Sequence, residues 1–159
     1  MCASSSKHEV RLGRAEDLAA VGTILQMSPE AANWPVGSLT QTFEQYPSYF
    51  LVAGQGEQIT GFISGRRILD EGEILNLAVK PSERSAGVGK ALVQALLGRF
   101  GRENVLQVFL EVRESNLGAI SFYQGLGFQQ AGKRSGYYRN PTEAALVLAL
   151  RTGSSARSY

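Results

Sequence analysis

The sequence is short of cysteine, of net charge and of long apolar runs. Its single cysteine, Cys2, excludes an intrachain disulfide and favours a reducing compartment. Sixteen basic and 14 acidic side chains leave a formal net charge of only +2, which implies no polyanion-binding surface and no nucleic-acid partner. No apolar run approaches the roughly 20 residues of a membrane-spanning helix, and the N-terminus lacks a signal-peptide core. We therefore expect a cytoplasmic protein that contacts no membrane.

Histidine is equally scarce, because His8 is the only one in 159 residues. It belongs to a Ser-rich leader, residues 1–8, which we expect to be disordered together with the polar tail, residues 152–159. His8 is then a solvated tail residue and not a catalytic base. With 43% apolar residues, the chain can bury the core of a single domain, which we predict over residues 9–151.

Hydrophobic periodicity predicts an α/β fold with the element order β-α-α-β-β-β-α-β-α-β-β. The predicted strands are Glu9–Gly13, Tyr49–Ala53, Gln58–Leu69, Ile74–Val79, Asn104–Val112, a strand from about Phe128 through Lys133, and Ala144–Leu150. The predicted helices are Ala15–Met27, one from Ser38 that ends before Pro47, Val88–Phe100, and Asn116–Gln124. The strands on either side of the third helix should run parallel, because a helical crossover joins them.

The most informative stretch is Glu73–Phe100, which reads as a buried strand, a glycine loop and a helix. Pro81 breaks the strand, and Arg84, Gly87 and Gly89 follow at the spacing Arg-x-x-Gly-x-Gly. A helix N-terminus presents unpaired backbone N–H groups and favours negative charge, and glycines let a phosphate approach the backbone. The pattern therefore predicts an anion site, although two glycines at a strand–helix turn can also be purely structural.

The common nucleotide motifs do not fit this loop. A triphosphate-binding P-loop needs a hydroxyl residue after Gly89-Lys90, where Ala91 stands, and the dinucleotide fingerprint needs a third small residue, where Leu92 stands. The loop instead resembles motif A of the GNAT superfamily of N-acetyltransferases. In that superfamily, Arg/Gln-x-x-Gly-x-Gly/Ala holds the pyrophosphate of acetyl-CoA.

A second group of residues lies in the stretch Leu110–Phe128. Glu111 interrupts an otherwise apolar strand, and a carboxylate there is costly unless it faces a cavity or a partner. It is either functional or one half of an edge-strand salt bridge, for instance to Arg113 or Arg134. Tyr123 is likewise either functional or an aromatic residue of the core. Asn116 is a good helix N-cap in any case.

The segments ILNLAV, RSAGVG, LEVRESN, SFYQGLGF and GYYRNP–ALVLAL resemble, in this order, the bacterial ribosomal-protein-alanine N-acetyltransferases within GNAT. The similarity covers roughly Val10–Leu150. It implies a mixed, mostly antiparallel sheet with a splayed parallel strand pair and flanking helices. It also implies Glu111 as general base and Tyr123 as general acid. The residues implied to bind acetyl-CoA are Leu77, Ala78 and Val79 through their backbone, the loop of Arg84, Ser85, Ala86, Gly87, Val88, Gly89 and Lys90, and Asn116.

The function implied by the resemblance is direct acetyl transfer, without a metal, from acetyl-CoA to a protein N-terminal α-amine, in particular that of a small ribosomal protein. Ser85 and Ala86 replace longer polar residues of the family, and Ala144 stands where an acidic residue is common, so phosphate contacts and peptide recognition can differ. Two alternatives remain open: acetylation of a small-molecule amine, and a non-catalytic acyl-CoA-binding domain. The presence of both Glu111 and Tyr123 argues against the second alternative, because binding CoA needs neither.

Overall fold

A computed structural model describes residues 8–28, 37–139 and 141–152. These residues group into two units. Unit 1 comprises the described residues up to Arg66 together with Asn76–Arg99, and unit 2 comprises Arg67–Leu75 with the described residues from Phe100 onward. The prediction of one domain over residues 9–151 stays a prediction.

Unit 1 is built from antiparallel strands covered by helices. It contains β1 (Glu9–Leu12), α1 (Leu18–Gln26), α2 (Ser38–Gln45), β2 (Phe50–Gln55), β3 (Gln58–Ile68) up to Arg66, the second part of β4 (Glu71–Val79), and α3 (Val88–Arg102) up to Arg99. Strand β2 pairs antiparallel with both β1 and β3.

The core of unit 1 follows from the apolar faces of these elements. Helix α1 buries Val21 and Ile24 against Phe50 and Phe62 of the strands, where the two phenylalanine rings lie 5.4 Å apart. Glycine at position 61 lets α3 approach the sheet closely. A Cβ atom at Gly61 would lie only 3.0 Å from the Ala78 carbonyl oxygen and 3.1 Å from side-chain atoms of α3.

Unit 2 contains the first part of β4, followed by β5 (Gln107–Arg113), α4 (Leu117–Gly125), β6 (Gln129–Tyr138) and β7 (Glu143–Arg151). Strand β7 lies between β5 and β6 and pairs antiparallel with both. The parallel pairing of β4 with β5 covers only Glu71–Glu73 opposite Gln107–Phe109, so the two strands part after three residues. Gly72 in this short contact lets Phe100 pack against the strand, because a Cβ atom there would lie 2.8 Å from the phenylalanine ring.

The predicted fold class is confirmed. Seven strands are hydrogen-bonded in the order β1-β2-β3-β4-β5-β7-β6, and β4/β5 is the splayed parallel pair. Several boundaries were wrong. The fourth strand begins at Glu71 and not at Ile74, and α3 continues past Phe100 to Arg102. The fifth strand begins at Gln107 because Asn104 adopts a left-handed φ of 63° in a turn, and the sixth continues to Tyr138 because it pairs with β7 well beyond Lys133.

The prediction that His8 is a solvated tail residue was wrong. Its side chain is only 9% exposed, Nδ1 lies 3.2 Å from the Thr60 hydroxyl, and Nε2 lies 3.6 Å from a Glu83 carboxylate oxygen. Thr152 was also assigned to a disordered tail, yet its hydroxyl donates to the Val105 carbonyl. The remainder of both predicted tails, residues 1–7 and 153–159, lies outside the described residues, as do residues 29–36.

The described helices include none that is both long and apolar enough to span a membrane.

An ion pair between Arg11 and the buried Asp17 lies at the entry to α1. It leads to a prediction about stability. Asp17 accepts hydrogen bonds from Arg11 at 2.8 and 3.0 Å and from the Arg14 backbone N–H at 2.7 Å. Its hydrogen bond with Arg11 holds the pKa of Asp17 below the ordinary value. We expect Asp17→Asn to lower the free energy of unfolding at neutral pH by about 1–3 kcal/mol.

The pH dependence of this effect has a defined sign. Because the pKa is lowered on folding, the contribution of Asp17 is present above the ordinary carboxyl pKa of 3.8 and is lost as the pH falls below it. Denaturant unfolding at pH 7 and near pH 3 should therefore show the difference between wild type and Asp17→Asn shrinking with acid. The neighbouring, exposed Glu16→Gln is the control; an equal effect of both variants at pH 7 would contradict the assignment.

Candidate active site

The loop between β4 and α3 has the backbone of an anion cradle. Ser85 and Gly87 both adopt left-handed conformations, with φ of 68° and 86°, and the residues around them are exposed. Left-handed residues in a loop can turn backbone N–H groups toward one concave side, and here they follow the extended Arg84. The left-handed Ser85 could not be read from the sequence, since such a φ is uncommon outside glycine.

The N-terminus of α3 adds further donors to this cradle. The first hydrogen bond of the helix runs from Ala91 N–H to the Gly87 carbonyl at 3.0 Å. The N–H groups of Val88, Gly89 and Lys90 therefore precede the first acceptor of the helix and have no partner within it. A Cβ atom at Gly87 would meet nothing within 4 Å, so this glycine is needed for its backbone conformation and leaves the loop open.

Backbone N–H groups at the end of β4 point toward both edges of the strand. Lys80 N–H donates to the Thr60 carbonyl of β3 at 2.7 Å. Backbone N–H groups alternate between the edges of a strand, so those of Leu77 and Val79 face away from β3. Leu77 N–H is already taken by the Oδ1 atom of the buried Asn76 at 3.0 Å. Within the described residues, Val79 N–H lies on this edge without a paired strand.

Arg84 lies beside the same edge. Its Nε atom donates to the Val79 carbonyl at 3.3 Å, and one terminal nitrogen donates to the Ser28 hydroxyl at 3.3 Å. The residues predicted to bind acetyl-CoA from Leu77 to Lys90 are therefore together in unit 1.

Glu111, Asn116 and Tyr123 are in unit 2. Glu111 lies on β5 beyond Phe109, where the pairing with β4 ends, and its strand partner there is Val147 of β7. Its side chain is only 17% exposed, and Oε2 is buried without a hydrogen-bond partner among the described residues. The salt-bridge alternative holds for Arg134, at the limit of ion-pair distance, and fails for Arg113. Arg134 Nε lies 3.9 Å away, and Arg113 pairs instead with Glu143 at 3.3 Å.

Two tyrosines of β6 that the sequence did not single out surround Glu111. Burial raises the pKa of Tyr138 to about 12, with the Glu111 charge as the next cause. Burial, the Glu111 charge and a hydrogen bond with Glu111 raise the pKa of Tyr137. Both phenols therefore keep their protons near neutral pH and can donate hydrogen bonds. Two consecutive tyrosines at the end of β6 are visible in the sequence, but their proximity to Glu111 depends on strand pairing that the sequence does not show.

Arg113 holds the turn that carries these tyrosines. Its guanidinium carbon lies 4.4 Å from the centre of the Tyr138 ring, and its terminal nitrogens donate to the carbonyls of Pro141 and Arg139. Glu143 joins this network by accepting from Arg113 and from the Ser115 backbone N–H. The charge of Arg113 is thus neutralised by Glu143, which leaves Glu111 with the more distant Arg134.

Tyr123 is buried on α4, with its ring 5.0 Å from that of Phe122 and 5.4 Å from that of Phe128. Tyr123 is therefore an aromatic residue of the core, which was one of the two alternatives. The role of its phenol as an acid stays a prediction. Burial raises the pKa of Tyr123, so the phenol is a persistent proton donor. Asn116 is confirmed as the N-cap of α4, because its Oδ1 accepts from Ala119 N–H at 3.1 Å. Its contact with a cofactor stays a prediction.

Comparison with known proteins identifies curated relatives. The [ribosomal protein bS18]-alanine N-acetyltransferase of Escherichia coli (strain K12) is 36% identical over 111 residues, which are 67% of this chain and 72% of that protein. The putative [ribosomal protein bS18]-alanine N-acetyltransferase of Bacillus subtilis (strain 168) is 28% identical over 144 residues, 90% of this chain and 95% of that protein.

Solved structures show the same fold. Ard1 from Thermoplasma volcanium matches with a TM-score of 0.84 and 30% identity, covering 91% of this chain and 97% of that one. The ribosomal-protein-S18-alanine N-acetyltransferase from Escherichia coli matches with a TM-score of 0.78 and 29% identity, covering 96% and 99%. Residues 19–128 match the model of the Acetyltransferase (GNAT) family. The chain therefore belongs to the GNAT family of acetyltransferases, which confirms the resemblance drawn from its motifs.

Proposed function

We propose that this protein is an acetyl-CoA-dependent N-acetyltransferase that modifies the α-amine of a protein N-terminus, and that its substrate is a small ribosomal protein. Family membership and relatives named for alanine N-acetylation of a ribosomal protein support this reaction. The observation that carries the proposal is the buried Oε2 atom of Glu111, which has no hydrogen-bond partner in the described part of the chain. Cytoplasmic location remains part of this proposal.

The residues of unit 1 fit acetyl-CoA. Its pyrophosphate would accept hydrogen bonds from the backbone of Ser85–Lys90, where the cradle and the helix N-terminus supply donors. The left-handed Ser85 and Gly87 make this possible although Ser85 and Ala86 lack long polar side chains. Acetyl-CoA supplies the thioester that an amine attacks. The pantetheine arm would lie along Leu77, Ala78 and Val79, and Asn116 would contact the cofactor.

Glu111 supports an α-amine as the nucleophile. An amine attacks only when neutral, and a free α-amine has a pKa of about 7.7–8.0, whereas that of lysine is about 10.4. An α-amine therefore needs only modest help near pH 7. The Glu111 carboxylate can accept a hydrogen bond from the incoming ammonium group and take its proton, directly or through a water. The phenols of Tyr137 and Tyr138 do not compete for this proton, since both stay protonated.

The remaining roles concern the acyl carbon and the leaving sulfur. Val79 N–H, on the unpaired edge of β4, would donate to the oxygen that becomes negative during attack. Tyr123 would donate its proton to the departing thiolate. Burial disfavours a free phenolate, so we expect Tyr123 to move its proton only as the carbon–sulfur bond breaks.

The first prediction concerns Glu111 and distinguishes substrate classes. Glu111→Gln keeps the size of the side chain but cannot take a proton. With an N-terminal peptide, we expect kcat/KM to fall at neutral pH by about 10²–10⁴ and to recover partly above about pH 8, where solvent deprotonates the α-amine. A lysine peptide or a polyamine would show no such recovery below about pH 10.

Profiles of kcat/KM against pH for wild type and variant, with both peptides, make this measurement. The matched control is Glu114→Gln, since Glu114 is an exposed carboxylate three residues away that pairs with Lys133 at 2.7 Å. A wild-type preference for the lysine peptide or for a small amine would overturn the N-terminal assignment. A Glu111→Gln profile like that of wild type would remove Glu111 from the mechanism.

The second prediction tests Tyr123. Tyr123→Phe retains the ring that packs against Phe122 and Phe128, so we expect nearly unchanged stability and acetyl-CoA affinity. If the phenol protonates the thiolate, kcat should fall by about 10²–10⁴. Steady-state kinetics and calorimetric titration with CoA check both parts, with Tyr46→Phe, at the C-terminal end of α2, as a control. A variant with wild-type turnover would make Tyr123 a packing residue alone.

The third prediction tests the cradle. Gly89→Val places a branched side chain in the first turn of α3, where phosphate would contact the backbone. We expect CoA affinity to fall at least about tenfold, or about 1.4 kcal/mol. Gly101→Val is the matched control, because it makes the same change at the other end of α3, where a Cβ atom meets nothing within 4 Å. Equal CoA affinities of the two folded variants in calorimetry would contradict the cradle.

A further inference from the structure

Arg84 connects two elements of unit 1 that are far apart in the sequence. Its Nε atom donates to the carbonyl of Val79, the last residue of β4, and a terminal nitrogen donates to the hydroxyl of Ser28, which follows α1. Ser28 is only 3% exposed, and its hydroxyl in turn donates to the Ile24 carbonyl of α1 at 2.8 Å. A chain of hydrogen bonds therefore runs from the end of β4 through Arg84 to the last turn of α1.

This series of hydrogen bonds holds one peptide group from both sides. The peptide between Val79 and Lys80 has its carbonyl bonded to Arg84 at 3.3 Å and its N–H bonded to the Thr60 carbonyl at 2.7 Å. The N–H group of Val79 belongs to the preceding peptide, which is separated from this one only by the φ and ψ of Val79, so restraining this plane narrows the directions open to that N–H group. Backbone donors contribute to catalysis only when they are oriented before charge develops.

We propose that Arg84 is a positioning residue, which ties the end of β4 to the end of α1, and that it is not a ligand of the cofactor's phosphates. The inference rests on the proposed function. It reassigns the first residue of the Arg-x-x-Gly-x-Gly pattern. The backbone of Ser85–Lys90 binds the pyrophosphate, and the arginine side chain orients the Val79 N–H that faces the reacting carbonyl.

The substitution Arg84→Lys tests this proposal, because arginine and lysine differ in hydrogen-bonding geometry. Arg84 donates in two directions from a planar fork, whereas lysine is a single point charge on a flexible stem. Lysine is, however, a good phosphate ligand. Arg84→Lys should therefore preserve much of the function of a phosphate ligand but should fail as a link between Val79 and Ser28. Arg84→Met removes every donor and retains an unbranched stem.

A donor without phosphates separates the two roles directly. S-acetyl-pantetheine carries the thioester and the arm of acetyl-CoA but lacks its phosphates and nucleoside. If Arg84 positions Val79, kcat/KM should fall at least about tenfold in both Arg84→Lys and Arg84→Met, and by the same factor with either donor. The CoA dissociation constant should stay within about threefold of the wild-type value. Arg102→Gln, at the exposed end of α3, is the control.

Ser28→Ala provides a milder second test, because it removes the acceptor and leaves Arg84 in place. It should reproduce part of the loss, and the double variant with Arg84→Met should lose no more than Arg84→Met alone, because the two residues act through one contact.

Additive losses would overturn the proposal. A loss of kcat/KM with acetyl-CoA but not with S-acetyl-pantetheine would also overturn it, if CoA binding were weaker and Arg84→Lys restored both. A phosphate ligand would behave in this way. Absence of any loss would overturn it too. A wild-type protein that transfers acetyl from neither donor would instead refute the proposed function.

Discussion

Strand β4 keeps its parallel partner β5 for only three residues, and the backbone beyond Glu73 must find other partners on that edge. Leu77 N–H finds the side chain of Asn76, and the Val79 carbonyl finds Arg84. These two contacts explain why a buried asparagine and an arginine occur where an apolar strand ends. The N–H group of Val79 lies on the same edge, and in the proposed function it meets the substrate. A sheet that stayed paired would have used all of these groups in its ladder and would have left no polar backbone for chemistry.

Charge in unit 2 is distributed so that one carboxylate stays without a close cation. Arg113 is satisfied by Glu143, two turn carbonyls and the ring of Tyr138, and Lys133 pairs with the exposed Glu114 at 2.7 Å. Glu111 is buried on β5 with Arg134 at 3.9 Å and two protonated phenols nearby. A carboxylate with a close arginine would hold its partner in place of an incoming ammonium group. The spacing of these cations therefore matters as much for the proposed reaction as Glu111 itself.

Local features of the chain were predicted well, and features formed by distant residues were not. The succession of strand, loop and helix between Ile74 and Phe100 was correct because proline, glycine and apolar spacing act over a few residues, although β4 begins earlier and α3 ends later than predicted. The N-cap role of Asn116 was correct for the same reason. The strand predicted from Asn104 began too early, because a left-handed residue and a turn precede it. His8 was placed in solvent, although it contacts Thr60, 52 residues later in the chain.

The sequence by itself determined the family, the fold class and the glycine loop between β4 and α3, because each depends on residue types at short, regular spacings. Only the tertiary structure decided which donors and charges surround those residues. Tyr137, Tyr138 and Arg134 reach Glu111 through the order β5-β7-β6, in which the strand between them comes last in the chain. Ser28 meets Arg84 across 56 residues. Such contacts follow from strand register and helix packing, which are properties of the whole folded chain and not of any segment of it.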